Sequence, residues 1–391
     1  MRYTLGIGLL ITGLCGTAQA VQQKNPSIAT AADGSYVIVW EDKTAKDIFA
    51  RRYNASGYTL GDIFQVSTTA GDNKKPSVAM AADGSFIVAW ENKTNTSVMA
   101  RRYDTAGNAV GAEFQVNSSS GEHKEAQVSA APDGSFVVVW KVKVSGTVEN
   151  VLARRYTASG TPIGAEFQVN TGTGKNKKPS VGVSSTGAFV VVWENKDSGD
   201  VLMRRYDSSG TALGAPVTVG QLDATGVLSA GPTVAVASDG RFVIAWEDKN
   251  AKDLLVRAYD ATGAPLGTAT QVNVSTGEHK KPRVAIAPDG SFVVAWESKT
   301  SDTIQARRYN GSGTALGGQF QVNTSTSKQK DPAIAVAPDG SFIVTWQDKG
   351  IKEILGQRYD ATGAAVGAEF NVNNAAGGLK VIQWREVPNS A

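Results

Sequence analysis

The chain has 391 residues, of which 41% are hydrophobic and 8% aromatic. This apolar content supports a large folded core and excludes a disordered protein. The 39 Lys and Arg residues nearly balance the 36 Asp and Glu residues, which leaves a formal net charge of +3. A general nucleic-acid binder is excluded on this ground, because such domains are strongly and asymmetrically basic.

The first 20 residues have the composition of a secretory signal peptide. Arg2 supplies a positive charge, an apolar run follows from Leu5 to Leu14, and Ala18 and Ala20 form the small-x-small pattern that precedes a cleavage site. We therefore predict cleavage after Ala20 and a mature protein that is periplasmic or secreted.

The only cysteine, Cys15, lies in the segment predicted to be removed. The mature chain is therefore expected to lack disulfides, zinc-thiolate sites and a cysteine nucleophile. No later apolar stretch approaches the roughly 20 residues that a membrane-spanning helix requires, so we expect no membrane span.

Tryptophan recurs through the chain at spacings of 50 or 53 residues and each time ends the same pattern, as in PSVAMAADGSFIVAW. This periodicity indicates seven tandem copies of one unit. The repeats predict a domain over residues 21–376, and residues 377–391, which include Trp384, are expected to form a closing segment. The seven repeat tryptophans are Trp40, Trp90, Trp140, Trp193, Trp246, Trp296 and Trp346.

Each copy contains four predicted strands. The first two, such as PSVAMA and SFIVAW, are joined by Ala-Asp-Gly, a strong hairpin signal because glycine supplies the positive φ of the turn. A strand ending in Arg-Arg-Tyr follows, then a glycine-containing turn and a strand such as AEFQVN. Seven such units fit either a β-propeller or an open β-solenoid. The first and last units resemble the others, whereas a solenoid needs polar caps, so we predict an all-β, seven-bladed β-propeller of four-stranded blades.

The repeated aromatic and arginine positions are interpreted as structural. The tryptophans and the seven tyrosines that end the third strands are expected to fill the space between blades, with sugar stacking as the weaker alternative. The arginine pairs, such as Arg101 and Arg102, are expected to pair with a fourth-strand glutamate such as Glu113.

The repeat resembles one found in large bacterial secreted and surface proteins of the adhesin and RTX type. The motifs that carry the resemblance are those at Asp83 to Trp90, Ala100 to Asp104 and Gly111 to Asn117. The resemblance implies an extracellular propeller used for adhesion or ligand binding, without catalytic residues. In architecture alone, the chain is also similar to bacterial seven-bladed propeller lectins, which repeat one sugar pocket per blade.

A lysine stands three residues after every repeat tryptophan, and a second lysine precedes the first strand in six of the seven units. Antiparallel connectivity places both sets on one face of a propeller. A hydrogen-bonding residue precedes the second lysine, so the sequence predicts a ring of polar clusters at a channel mouth. The candidate ligand-binding residues are Lys43, Lys93, Lys143, Lys196, Lys249, Lys299 and Lys349 after tryptophan, Lys24, Lys74, Lys124, Lys177, Lys280 and Lys330 before the first strand, and Asn73, His123, Asn176 and His279.

Two interpretations of the lysines stay open. In the first, the lysines bind a ligand. In the second, they pair with acids one residue after tryptophan, such as Glu41, Glu91 and Glu297, and serve only to keep this face soluble. On the first interpretation we expect a monomeric, lectin-like or adhesive protein that binds a carbohydrate, such as an acidic extracellular or cell-surface polysaccharide, through many weak sites.

The sequence shows no pattern of catalytic or metal-ligating residues, so we expect no enzyme activity, no metal site and no cofactor. Two histidines in separate units are a poor general-base pair. The alternatives are a polysaccharide lyase or glycosidase, which one unit with divergent channel-facing residues would indicate, and a scaffold that binds a surface protein.

Overall fold

The computed structural model describes residues 22–219 and 229–374, which form seven four-stranded antiparallel sheets in chain order. Each sheet is one blade, and the described part contains no helix. The predicted all-β, seven-bladed β-propeller is therefore confirmed. The predicted signal peptide and the segment 377–391 lie outside the described residues.

Each blade uses its strands in sequence order from the channel outward. The innermost strands are β1 (Gln23–Thr30), β5 (Asn73–Met80), β9 (Glu122–Ala130), β13 (Asn176–Val183), β17 (Ser229–Val236), β21 (His279–Ile286) and β25 (Gln329–Val336). The second strands are β2 (Tyr36–Asp42), β6 (Phe86–Asn92), β10 (Phe136–Lys143), β14 (Phe189–Asn195), β18 (Phe242–Asp248), β22 (Phe292–Ser298) and β26 (Phe342–Asp348).

The outer half of each blade is less regular because most fourth strands are short. The third strands are β3 (Asp47–Tyr53), β7 (Ser97–Tyr103), β11 (Glu149–Tyr156), β15 (Asp200–Tyr206), β19 (Asp253–Tyr259), β23 (Thr303–Tyr309) and β27 (Glu353–Tyr359). The fourth strands are β4 (Phe64–Gln65), β8 (Phe114–Gln115), β12 (Phe167–Gln168), β16 (Val217–Thr218), β20 (Thr270–Gln271), β24 (Phe320–Gln321) and β28 (Ala365–Asn371).

The core consists of seven apolar clusters, one in each interface between adjacent blades. Between the first two blades, Val37 and Val39 of β2 pack against Val88 and Trp90 of β6. Both faces of a second strand are covered by neighbouring blades, which explains its continuous apolar sequence. All seven repeat tryptophans are almost completely buried, so the prediction that they form the core is confirmed.

The tyrosines of the third strands also belong to the core. Tyr103 is buried and stacks on Phe86 of the second strand, with ring centroids 4.6 Å apart and an interplanar angle of 6°. The same stack recurs in other blades, for example between Phe292 and Tyr309. Tyrosine and phenylalanine are therefore used for packing and not as exposed sugar platforms.

The expected pairing of the arginines with fourth-strand glutamates is not observed, because both guanidinium groups bind backbone carbonyls of neighbouring blades. Arg101 donates to the Val66 carbonyl of the preceding blade at 3.0 Å, and Arg102 donates to the Ser159 carbonyl of the next. Glu113 instead accepts two backbone N–H groups of the preceding blade. Arg101 and Arg102 thus connect the second blade to both of its neighbours.

The ring closes without exchange of a strand, because each blade is made from consecutive residues. The Thr30 hydroxyl donates to the Val336 carbonyl at 2.9 Å, and the Gln347 amide donates to the Gln23 carbonyl at 2.6 Å. The last apolar cluster joins the first and seventh blades in the same way as the other six. These contacts exclude the open solenoid considered from the sequence.

Candidate functional site

The two ends of the propeller differ in chemistry. We call one end the link face; it contains the loops after the second strands and the links that lead into the innermost strands. Every lysine in the described part of the chain lies on the link face or at the strand ends beside it. The opposite end carries the Ala-Asp-Gly turns, whose aspartates accept hydrogen bonds within the turn, as Asp83 does from the Ser85 N–H at 2.8 Å.

Five of the seven lysines that follow the tryptophans are exposed to solvent, and Lys299 and Lys349 are half-buried. The Lys93 N–H donates to the Asp72 carbonyl at 2.9 Å and so extends the pairing of the first two strands. Lys249 lies 3.6 Å from Glu194, and Lys299 lies 2.8 Å from Glu297. The remaining five make no ion pair with any described residue, and they are Lys43, Lys93, Lys143, Lys196 and Lys349.

The lysines predicted to precede the first strands instead lie within the innermost strands, at the second position or, in β9, at the third. They are half-buried, and their ion pairs differ from blade to blade. Lys24 binds Glu41 at 3.0 Å and Lys74 binds Asp72 at 2.7 Å. Lys124 and Lys280 each bind the glutamate two residues earlier at 2.5 Å.

Lys177 and Lys330 make no ion pair with any described residue. Burial, followed by the nearby Lys196 ammonium, lowers the pKa of Lys177. Burial and the Lys299 ammonium do the same to the pKa of Lys330. Uncompensated positive charge therefore concentrates at these two positions of the link face.

The four uncharged candidate residues are buried in the interior of their blades. Asn73 and Asn176 accept hydrogen bonds from the indole N–H groups of their own blades at 2.9 and 3.1 Å. His123 and His279 do the same through Nδ1, at 3.0 and 3.1 Å. Their Nε2 atoms lie 3.0 and 3.1 Å from backbone carbonyls, which fixes a neutral tautomer. Their repetition therefore has a structural cause, which is the need of a buried indole for an acceptor.

A ring of residues that sequence analysis missed surrounds the channel mouth. Each innermost strand contains a β-bulge at its start, shown in the second blade by the register shift between Lys74 and Ser77. One residue of each innermost strand, the third in six strands and the fourth in β9, lies in this bulge with φ between 47° and 58°. We call these residues the bulge ring; they are Asn25, Lys75, Glu125, Lys178, Gly231, Lys281 and Asp331.

Buried glutamates hold the bulge ring in place. The Lys281 N–H donates to Glu247 at 2.8 Å, and the Asp331 N–H donates to Glu297 at 2.7 Å, in each case across a blade interface. Burial opposes ionisation of Glu297, but the Lys281 ammonium and the Asp331 N–H outweigh it and hold the pKa of Glu297 below its ordinary value. The acids that follow tryptophan therefore do bind lysines, but they also join successive blades.

A cavity of about 700 Å³ opens at the channel mouth on the link face. Members of the bulge ring line it, together with cations of the fifth and sixth blades, Lys249, Lys252 and Arg283. Arg283 has no counterpart in the other blades. An alignment of the seven units column by column would have found it, because a charged residue there replaces small or neutral ones.

Residues 22–219 and 229–374 contain no group of three or more His, Cys, Asp or Glu side chains able to hold a metal ion. Nor does any helix within these ranges have the length and apolarity needed to cross a bilayer.

No protein-family model and no curated protein sequence matches this chain. Solved structures with the same fold do match it, at low identity. A puromycin hydrolase superposes with a TM-score of 0.58 at 13% identity over 89% of this chain, which spans only 58% of that protein. An ulvan lyase, a polysaccharide lyase bound to -[GlcA(1-4)Rha3S]-, gives 0.53 at 12% identity, covering 88% of this chain and 96% of the lyase.

An α-L-arabinanase of Penicillium chrysogenum complexed with arabinobiose gives a TM-score of 0.52 at 12% identity, covering 74% of this chain and 93% of the arabinanase. These neighbours contradict the expectation that the chain is not an enzyme, because a hydrolase, a lyase and a glycosidase all use this architecture. The absence of a recognisable catalytic motif in the sequence was insufficient ground for that expectation, since function depends on sites and not on the fold.

Proposed function

We propose that the link face binds an anionic polysaccharide through several weak lysine sites. The observation that carries the proposal is the distribution of lysine, which the described chain places on one end of the propeller only. Five of the seven lysines after tryptophan make no ion pair with described residues, so folding does not account for their charge. Several weak contacts along one polymer add up to strong binding, because the first contact raises the effective concentration of the rest.

Two further points support a saccharide ligand. The ligand of the ulvan lyase contains a uronic acid and a sulfated sugar, as its formula states, and that of the arabinanase is a disaccharide. The predicted export signal would place the mature protein among extracellular or periplasmic polymers. The resemblance to bacterial adhesin-type repeats is consistent with the same role.

A second candidate function is the degradation of such a polymer. It is favoured by the departure of the fifth and sixth blades from the repeat at the channel mouth, where Gly231 and Arg283 occur. A single divergent site is what an enzyme on a symmetrical scaffold requires. Product formation is therefore measured alongside binding in the experiment below.

The test compares binding of acidic and neutral polysaccharides to the mature protein immobilised on a biosensor, at 0.1 and 1 M salt. The Debye length falls from about 10 Å to about 3 Å over this range, so binding of the acidic polymer is expected to weaken strongly. Unsaturated products and reducing ends are measured in the same solutions. Equal binding of neutral and acidic polymers, without salt dependence, would contradict the proposal.

The critical variant replaces four unpaired lysines of successive blades with glutamine, namely Lys43, Lys93, Lys143 and Lys196. The control introduces glutamate at four exposed turn positions of the same blades on the opposite end, namely Ser56, Ala106, Ser159 and Ser209. Both variants lower the net charge by the same amount. Only the lysine variant is expected to lose polymer binding, and equal losses in the two variants would show a non-specific charge effect.

A further inference from the structure

Arg283 interrupts the repeat at the wall of the channel. It lies two residues after the bulge in the innermost strand of the sixth blade, lines the cavity, and is accessible to water. The same position in the other blades carries small or neutral side chains, Ser27, Ser77, Gln127, Ser180, Thr233 and Ala333. Duplication of the repeat therefore does not explain this cation.

The Arg283 guanidinium has few internal partners. It donates to the Pro282 carbonyl at 3.1 Å and makes no ion pair with any described residue. The nearest acids bind elsewhere, since Lys281 holds both Asp331, at 2.5 Å, and Glu297, at 2.8 Å. A guanidinium has five N–H donors, so most of the hydrogen-bonding capacity of Arg283 is directed to the cavity.

The fifth blade leaves room beside Arg283. Six of the seven bulge-ring residues carry a polar side chain, whereas the fifth blade has Gly231 with the same backbone conformation, φ 54°. A Cβ atom there would lie 3.2 Å from the Glu247 carboxylate, which is close but not prohibitive. Glycine is therefore not required by the backbone, since non-glycine residues adopt this φ in the other blades, and its effect is to widen the channel mouth.

Two exposed lysines flank the opening. Lys252 makes no ion pair with any described residue, and Lys249 approaches only Glu194, at 3.6 Å. The Arg283 side chain is exposed to water within the channel mouth, and it makes no ion pair with any described residue. Its guanidinium is therefore free to bind two oxygens of an anion through parallel N–H groups.

We propose that the cavity beside Arg283 is a single, specific site for one oxyanion substituent of a sugar chain, a carboxylate or a sulfate ester. The inference deepens the proposed function and rests on it for the saccharide nature of the ligand. The planar guanidinium matches two oxygens of such a group, and the lysines at the rim attract it. The site gives the symmetrical lysine face one fixed position on the polymer.

The experiment measures the binding of short ligands by isothermal titration calorimetry. The probes are a disaccharide with one glucuronate, a neutral disaccharide with one sulfate ester, and arabinobiose as the uncharged comparison. One anionic disaccharide per chain is expected to bind, and arabinobiose more weakly. The preferred anionic probe identifies whether the natural substituent is a carboxylate or a sulfate.

Three variants test the assignment. Arg283→Ser restores the residue of the first, second and fourth blades, and it is expected to weaken binding at least tenfold. Arg283→Lys keeps the charge but loses the two-pronged geometry, so an intermediate loss is expected. Gly231→Asn adopts the residue of the first blade and is expected to block the site without changing the charge. Thermal unfolding of each variant checks that the fold is intact.

Lys46→Asn is the matched control, because it removes one exposed positive charge from the same face in the first blade, at a lysine outside the proposed binding set. An unchanged affinity in Arg283→Ser, an equal loss in Lys46→Asn, or a stoichiometry near seven would overturn the single site. If acidic polymers still bind with strong salt dependence in that case, the proposed function survives. If the disaccharide binds at Arg283 but polymer binding does not depend on the lysines, the proposed function fails and this inference stands. Absence of any anion binding would refute both.

Discussion

The buried glutamates at the blade interfaces give a direct test of what holds the ring together. Glu297 is 1% exposed, accepts a hydrogen bond from the Asp331 N–H at 2.7 Å, and forms ion pairs with Lys281 and Lys299 at 2.8 Å each. Glu297→Gln keeps the size of the side chain and an acceptor for the N–H, but it removes the charge that binds both lysines. The seventh blade tolerates glutamine at this position, as Gln347.

The expected loss of stability follows from the strength of these bonds. A hydrogen bond to a charged group contributes about 1.5–3 kcal/mol, and part of this is offset by the neutral bond that glutamine retains and by the partial exposure of the lysines. We therefore expect Glu297→Gln to lower the free energy of unfolding by about 2 kcal/mol at pH 7. Urea unfolding followed by tryptophan fluorescence measures this difference.

The pH dependence of the same difference checks its cause. The folded-state pKa of Glu297 is held below the ordinary value of 4.5. Its contribution to stability is therefore complete above pH 4.5 and is lost as the pH falls through the folded-state pKa, so the wild type and Glu297→Gln should converge in acid. Glu278→Gln, an exposed change that breaks only the Lys280 pair, is the control and should alter stability little. A Glu297→Gln protein as stable as the wild type at pH 7 would refute the reasoning.

Two other predictions concern the buried tryptophans. Burial lowers the pKa of His123 below its ordinary value of 6.5, so the contribution of His123 to stability is complete above pH 6.5 and declines as the pH falls below that value. His123→Asn introduces the residue found at this position in the second and fourth blades, and it should make the free energy of unfolding less dependent on pH between pH 5 and 7. Urea unfolding at several pH values measures this dependence, and an unchanged slope would contradict the prediction. In the fifth blade the Trp246 N–H and the Ser229 hydroxyl have no hydrogen-bond partner among the described residues. The double variant Ser229→Asn with Asp248→Asn introduces the residues of the second and fourth blades, and it should raise the free energy of unfolding by about 1 kcal/mol. A lower melting temperature in calorimetry would argue against this prediction.

The fold was predictable from the sequence because its determinants repeat. The Trp spacing predicted the number of blades, and the Asp-Gly turns, which six of the seven units contain, predicted the first hairpin of each blade. The alternation of strands was enough to place both lysine sets on one face. The partners of Arg101 and Arg102 were not predictable, because their acceptors are backbone carbonyls that leave no trace in a side-chain pattern.

The channel mouth was harder to predict for a different physical reason. A bulge adds one residue to a strand without changing its composition, so the positions of Lys75 and Lys281 were not recognised. The hydrogen-bonding residues His123 and Asn73 were misleading because a polar residue near a loop resembles a surface group. Their actual surroundings depend on the indole of a strand 17 residues later.

Repetition in this chain has a structural cause wherever the repeated side chain is buried, but this explanation does not extend to the lysine after tryptophan. The third blade shows the difference. Its loop is longer, running through Val144 to Val148, and its second strand carries Lys141 where most other blades have glutamate. Lys143 is nevertheless retained, exposed and without an ion pair to the described residues, although the loop around it has changed. The contacts of the described residues therefore do not explain why this lysine persists, whereas the ligand proposed for the link face would explain it.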